Sequence, residues 1–147
     1  MIRFDELLAK EGVIVYKTQG FSMKPMLKEN RDIVVIKPVT GILKPMDVAF
    51  YRRGEAYILH RVLEVREGYY VIRGDNTFIL EEVPFEDVLG VLTEFKRKGK
   101  SISTDSAGYR RYARIWTAIY PVRLLYFRIR RVAVNIKHKI FDSKGET

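Results

Sequence analysis

Between residues 13 and 97 the sequence is a succession of short apolar runs, each closed by a turn residue, with almost no helical spacing between them. The runs are Val13 to Tyr16, Asp32 to Ile36, Asp47 to Tyr51, Ala56 to Val62 and Val88 to Phe95. All are rich in β-branched and aromatic residues and bounded by Gly, Pro, Asn or Asp. Such residues fit a pleated, half-buried surface, and their breakers mark chain reversals. Val62 to Arg66, then Glu67-Gly68, then Tyr69 to Arg73 is the clearest hairpin. Six or so closely spaced strands without intervening helices predict a mainly β fold, a small antiparallel barrel-like sheet. A helix of about two turns precedes it, since Phe4, Leu7 and Leu8 share one face and Gly12 stands where a helix would stop.

Charge divides the chain. Up to residue 95 there are 13 Lys+Arg against 15 Asp+Glu; beyond it there are 14 against 3. The basic excess is confined to the last third. There, apolar residues at Ile115, Trp116, Ile119, Val122, Leu125, Phe127, Ile129 and Val132 recur at helical spacing. Arg110, Arg111, Arg114, Arg123, Arg128, Arg130 and Arg131 take the other face, and Pro121 predicts a break or kink. The expected organisation is a β-rich body over residues 1–98, a Gly/Ser/Thr-rich joint over 99–108 and a basic amphipathic helical tail over 109–141. With 147 residues there is room for one core.

No cysteine is present, which excludes a disulfide scaffold, a thiolate zinc site and a cysteine nucleophile. Chemistry must come from oxygen, nitrogen or lysine. Ser22, in Gly20-Phe21-Ser22-Met23-Lys24-Pro25-Met26-Leu27, is by itself a loop serine, and most of these are turn or cap residues. His60 is a lone histidine in an otherwise apolar strand, and Asp75 sits in Gly74-Asp75-Asn76, where an aspartate is by default a turn former. Together the three supply a hydroxyl, a base to take its proton and an acid to hold the base. The hairpin between His60 and Asp75 runs out and back, so the two can meet on neighbouring strands.

In order along the chain, four segments resemble the type I signal peptidases and the wider signal peptidase and LexA-like serine peptidase clan. Gly20 to Leu27 is similar to the nucleophile box, Asp47 to Arg52 to the strand after it, Ile58 to Val62 to the general-base strand and Arg73 to Asn76 to the G-D-N box; Val83 to Gly90 is similar to the closing strand. The resemblance covers roughly residues 13–95 and leaves the tail out. It implies a β-rich fold, hydrolysis of a peptide bond in an extended peptide or precursor and Ser22 as nucleophile. His at position 60, where the bacterial branch has Lys, resembles the archaeal and endoplasmic-reticulum branch; Lys44, the nearest lysine to that strand, ranks well behind it as base. The resemblance implies Asp75 as the acid that partners His60, backbone N–H groups of Ser22 and Met23 as oxyanion donors, and substrate contacts at Phe21, Met23 and Pro25. It implies no cofactor and no metal. The family's box is usually followed by a further Asp, and here the following acids are Glu81 and Glu82, with Glu81 an open substitute.

The N-terminus carries acids where a secretory signal has its positive region, and the tail's longest uncharged stretch of note, 115–122, is far short of the ~20 apolar residues of a spanning helix. The expectation is a cytoplasmic protein that matures a peptide or protein precursor. For the tail three readings stand: a packed helix with a solvated arginine face, a surface anchor on anionic lipid, or a site for nucleic acid or another acidic partner. From a different class, the alternative for the whole chain is a catalytically silent module of the same fold that binds peptide, nucleic acid or membrane. His138, between two lysines, is expected to be exposed and idle.

Overall fold

The structure is a computed structural model that describes residues 3–144. It divides into two compact units, one ending at Arg114 and the other starting at Ile115.

The first unit is mainly β. Helix α1 (Phe4–Glu11) leads into strands β1 (Ile14–Lys17), β2 (Ile33–Pro38), β3 (Val48–Arg53), β4 (Ala56–Val65), β5 (Tyr69–Arg73), β6 (Glu81–Pro84), β7 (Val88–Arg97) and β8 (Lys100–Ser103). Every pairing is antiparallel, in the order β1-β2-β7-β3-β4-β5-β6 with β8 also on β7, and the sheet curls into a half-barrel. Helix α1 stops at Gly12, whose φ of 70° is a left-handed conformation that glycine adopts without steric penalty; its N–H caps the Leu8 carbonyl.

The curl gives the sheet a core on each face. Strand β3 shows why: Val48, Ala49, Phe50 and Tyr51 are all buried, and alternation sends them to opposite sides. Val48 and Phe50 pack with Leu8, Ile14, Ile36, Leu59, Leu92 and Phe95, whereas Ala49 and Tyr51 pack with Val62, Tyr70, Ile72 and Val83. Phe4 of α1 closes one end of the first core, 5.2 Å from Tyr16 and 5.1 Å edge-on to Tyr57, which in turn stacks on Phe50 at 5.6 Å. Tyr57 also donates its hydroxyl proton to Asp5 Oδ1 at 2.9 Å, which ties the helix to β4.

The strands differ from the sequence expectation at two places. The acidic segment Glu81–Pro84 forms β6 by pairing with β5, with Ile72 opposite Glu81. The expected joint over 99–108 contains β8, and the first turns of α2 (Ala107–Ala118) belong to the first unit: Tyr109 and Ala113 are buried, Tyr109 within the first core. The body thus takes in residues assigned to the tail by their charge. Ser106 prepares this helix, its hydroxyl oxygen accepting from the Tyr109 N–H at 3.3 Å.

The second unit is helical. It holds the end of α2 and α3 (Tyr120–Lys144), with Pro121 next to the start of α3, where its missing N–H costs no internal bond. Arg123 lies over the Trp116 ring at 4.1 Å. No helix among the described residues is long and apolar enough to cross a membrane.

Candidate active site

Ser22 lies in the turn between β1 and β2, half-buried, and Met23, Met26 and Leu27 anchor that turn in the first core. Two hydrogen bonds from the turn after β5 hold the segment: the Asn76 N–H donates to the Ser22 carbonyl at 2.8 Å and Asn76 Nδ2 to the Phe21 carbonyl at 3.0 Å. The Gly74-Asp75-Asn76 turn and the serine loop are therefore laced together.

Gly74 sets how close they come. A Cβ placed there would sit 2.7 Å from the Ser22 carbonyl oxygen and 3.0 Å from both Cδ2 and Nε2 of His60, inside the contact distance of real Cβ atoms. Only glycine lets Ser22, the turn and the Nε2 edge of His60 share this space. Ser22 and His60 both line a cleft of about 860 Å³, walled by residues 16–20 on one side and by Thr77, Ile79, Glu81 and the start of β4 on the other. No hydrogen bond links Ser22 Oγ to His60 among the described residues. No backbone carbonyl accepts from the N–H of Ser22 or of Met23 among the described residues.

Asp75 makes no hydrogen bond to His60 among the described residues, and acts on the ring by its charge, behind Glu81. Consecutive residues of a strand point to opposite faces, and Asp75 lies on the side of Arg61, the neighbour of His60. Its two oxygens receive Arg61 Nε at 2.7 Å and Nη2 at 2.8 Å, and Tyr112 donates to Oδ2 at 3.0 Å. Arg61 is 1% exposed and also donates to the Met46 carbonyl at 2.8 Å and the Tyr109 hydroxyl at 3.2 Å. Burial pulls its pKa down, but the Asp75 hydrogen bonds and charge outweigh it and the guanidinium is held well above its usual range. Asp75 fixes the turn that carries Gly74 and Asn76; it does not orient the base.

Glu81 reaches His60 through Tyr51. The Tyr51 hydroxyl donates to Glu81 Oε2 at 3.0 Å and lies 3.2 Å from His60 Nδ1. A carboxylate only accepts, so the single hydroxyl proton is spent on Glu81 and the ring must donate from Nδ1. This network assigns the tautomer: Nδ1 carries the proton and Nε2, the nitrogen beside Gly74 and Ser22, keeps its lone pair. Glu81 Oε1 also stands 3.8 Å from Nδ1 and pairs with Arg53. Glu82, the next residue of β6, is exposed on the opposite face. Burial pushes the His60 pKa below its usual value, with the Glu81 charge pulling the other way. Burial, then Glu81, hold the Tyr51 hydroxyl far above its usual range, so it stays protonated.

No family model matches the sequence, and no curated protein matches it. The site therefore rests on its geometry.

Of the expected substrate contacts, Met23 lines the cleft, although its side chain is buried and its sulfur accepts the Asp75 N–H at 3.4 Å. Pro25 faces a separate hollow of about 400 Å³ with Met26, Phe95 and Tyr109, and Phe21 is exposed outside the cleft wall. Neither placement fits the expected role. Lys44 is exposed between β2 and β3 and takes no part in the cleft. Tyr51 and Arg53 were not singled out by sequence as site residues. The only signal for them is the strand register, which pairs Ala49 with His60 and so sets Tyr51 on the histidine's face.

Proposed function

We propose that this protein is a serine peptidase in which Ser22 is the nucleophile and His60 the general base, with Tyr51 and Glu81 positioning the base. The observation that carries the reading is the glycine-only approach at Gly74, which brings the Nε2 edge of the buried His60 ring beside the Ser22 loop in an open cleft.

The chemistry follows from those groups. His60 Nε2 takes the Ser22 proton as Oγ attacks the scissile carbonyl, and the positive charge that forms on the ring is answered through Nδ1–H, the Tyr51 hydroxyl and the Glu81 carboxylate. The N–H groups of Ser22 and Met23 meet the oxyanion, a donor of this kind being worth about 3 kcal/mol in the transition state. His60 then returns the proton to the leaving amine, and water repeats the cycle on the acyl-enzyme. Among the described residues strand β1 pairs with β2 alone, which leaves its other edge without a strand partner and able to take an extended peptide; Tyr16 and Lys17, at its end, line the cleft.

The test is mass spectrometry of a diverse peptide library incubated with the purified protein and with Ser22→Ala. Cleavage by the first and none by the second is expected. Turnover retained in Ser22→Ala would refute the assignment, and a cleft that binds library peptides but never cuts them would favour the silent module.

A further inference from the structure

Helix α3 carries an exposed apolar stripe bordered by cations. Val122, Leu125, Ile129, Val132, Ile136 and Ile140 follow one another at steps of three and four, so they form a single stripe along the helix. All six are exposed, none less than 51%. At 100° per residue, Arg123, Arg130 and Lys137 run along one border of that stripe and Arg128 and Lys139 along the other. From residue 115 to 141 there are six Lys and Arg and no Asp or Glu.

We infer that this stripe docks on the surface of a bilayer containing anionic lipid, the aliphatic side chains entering the headgroup boundary and the flanking cations reaching phosphate. Cations at both borders of an apolar stripe suit that task, because long basic side chains bury their stems beside apolar neighbours and lift their charge to the headgroups. Tyr126, next to the stripe at the same 100° per residue, adds an amphipathic ring that favours the same boundary. The stripe spacing would also suit a second copy of the helix. Such a pair would gather twelve cations with no acid between 115 and 141 to answer them, whereas an anionic surface supplies the opposite charge. The inference rests on the second unit alone and is independent of the peptidase reading.

The experiment is cosedimentation of the full chain with vesicles of phosphatidylcholine alone and of phosphatidylcholine with phosphatidylglycerol, at low and high salt. Binding is expected only to the anionic vesicles and should weaken with salt. Arg128→Gln with Arg130→Gln should weaken it by about 25-fold, at about fivefold per cation removed. Ile129→Glu should abolish it, with helix content and the melting of the body unchanged. Equal binding to neutral vesicles, or none to anionic ones, would overturn the inference. A dimer that Ile129→Glu dissolves, without vesicle binding, would assign the stripe to a second copy; duplex DNA binding without vesicle binding would assign the charge to nucleic acid.

Discussion

Asp75→Asn separates a structural carboxylate from a catalytic one. The substitution keeps the shape and removes the charge that two donors of Arg61 and the Tyr112 hydroxyl address at 2.7, 2.8 and 3.0 Å. Arg61 is 1% exposed, so its charge would remain buried without its partner. Removing one member of a buried pair costs about 3 to 5 kcal/mol. For a body of this size each kcal/mol moves the melting temperature by about 4 °C, giving a drop of about 12 to 20 °C. Thermal melting followed by circular dichroism reads this without any substrate. Arg61→Met should cost a comparable amount, and Asp75→Leu with Arg61→Met less than the two single changes together, since neither charge is then left alone. A melting temperature within about 3 °C of the parent in Asp75→Asn, with peptide cleavage lost, would refute the assignment and return Asp75 to His60.

Gly74→Ala should abolish cleavage while costing about 1 to 3 kcal/mol, because the new methyl meets the Ser22 carbonyl and the His60 ring and must push them apart; parent-like turnover in a folded variant would rule out this approach as the heart of the site. His60 is held below its usual range, so the stability gained by keeping it neutral is complete above about pH 6.5 and is lost as pH falls through its lower folded value; His60→Gln should lessen that acid-side loss in melting curves. Cleavage should follow the same ionisation, with an acid limb below about pH 6.5. Glu81→Gln removes the larger of the two charges, Glu81 and Asp75, that raise the His60 pKa, so it should move that limb to still lower pH while slowing cleavage by up to about 100-fold through lost positioning; a limb moved upward would contradict the Tyr51 and Glu81 arrangement.

The β architecture was legible because its strands are bounded by breakers and rich in branched and aromatic residues; even β3, buried on both faces, announces itself as the unbroken run Val48 to Tyr51. Strands β6 and β8 were not, being four residues each and rich in charged or hydroxyl side chains, so only their pairing partners make them strands. Ser22 and His60 were readable from local motifs. The partner of His60 was not: its acid lies two strands away on β6 and acts through a tyrosine hydroxyl, a relation set by register rather than by spacing. Yet the adjacency of His60 and Arg61 carries a warning, since an acid that meets the side chain of one lies across the strand from the other. The end of the body was hidden for a similar reason. Tyr109 and Tyr112 sit among arginines and read as tail, while their rings and hydroxyls close on Arg61 and Asp75.

Arg61 gathers Met26, Met46, Asp75 and Tyr109, contacts that are 35, 15, 14 and 48 residues away along the chain. During synthesis from the N-terminus the sheet strands emerge before the two tyrosines that complete this cluster. Until then the guanidinium and the turn bearing Gly74 lack part of their surroundings, and closing such long loops is slow. A nascent chain ending at Ser103 holds all eight strands and both Ser22 and His60, but not the lid of Tyr109 and Tyr112 over the Arg61 and Asp75 pair. The order of emergence thus leaves the Arg61 and Asp75 pair without its two tyrosine hydroxyls until the first turns of α2 have been made.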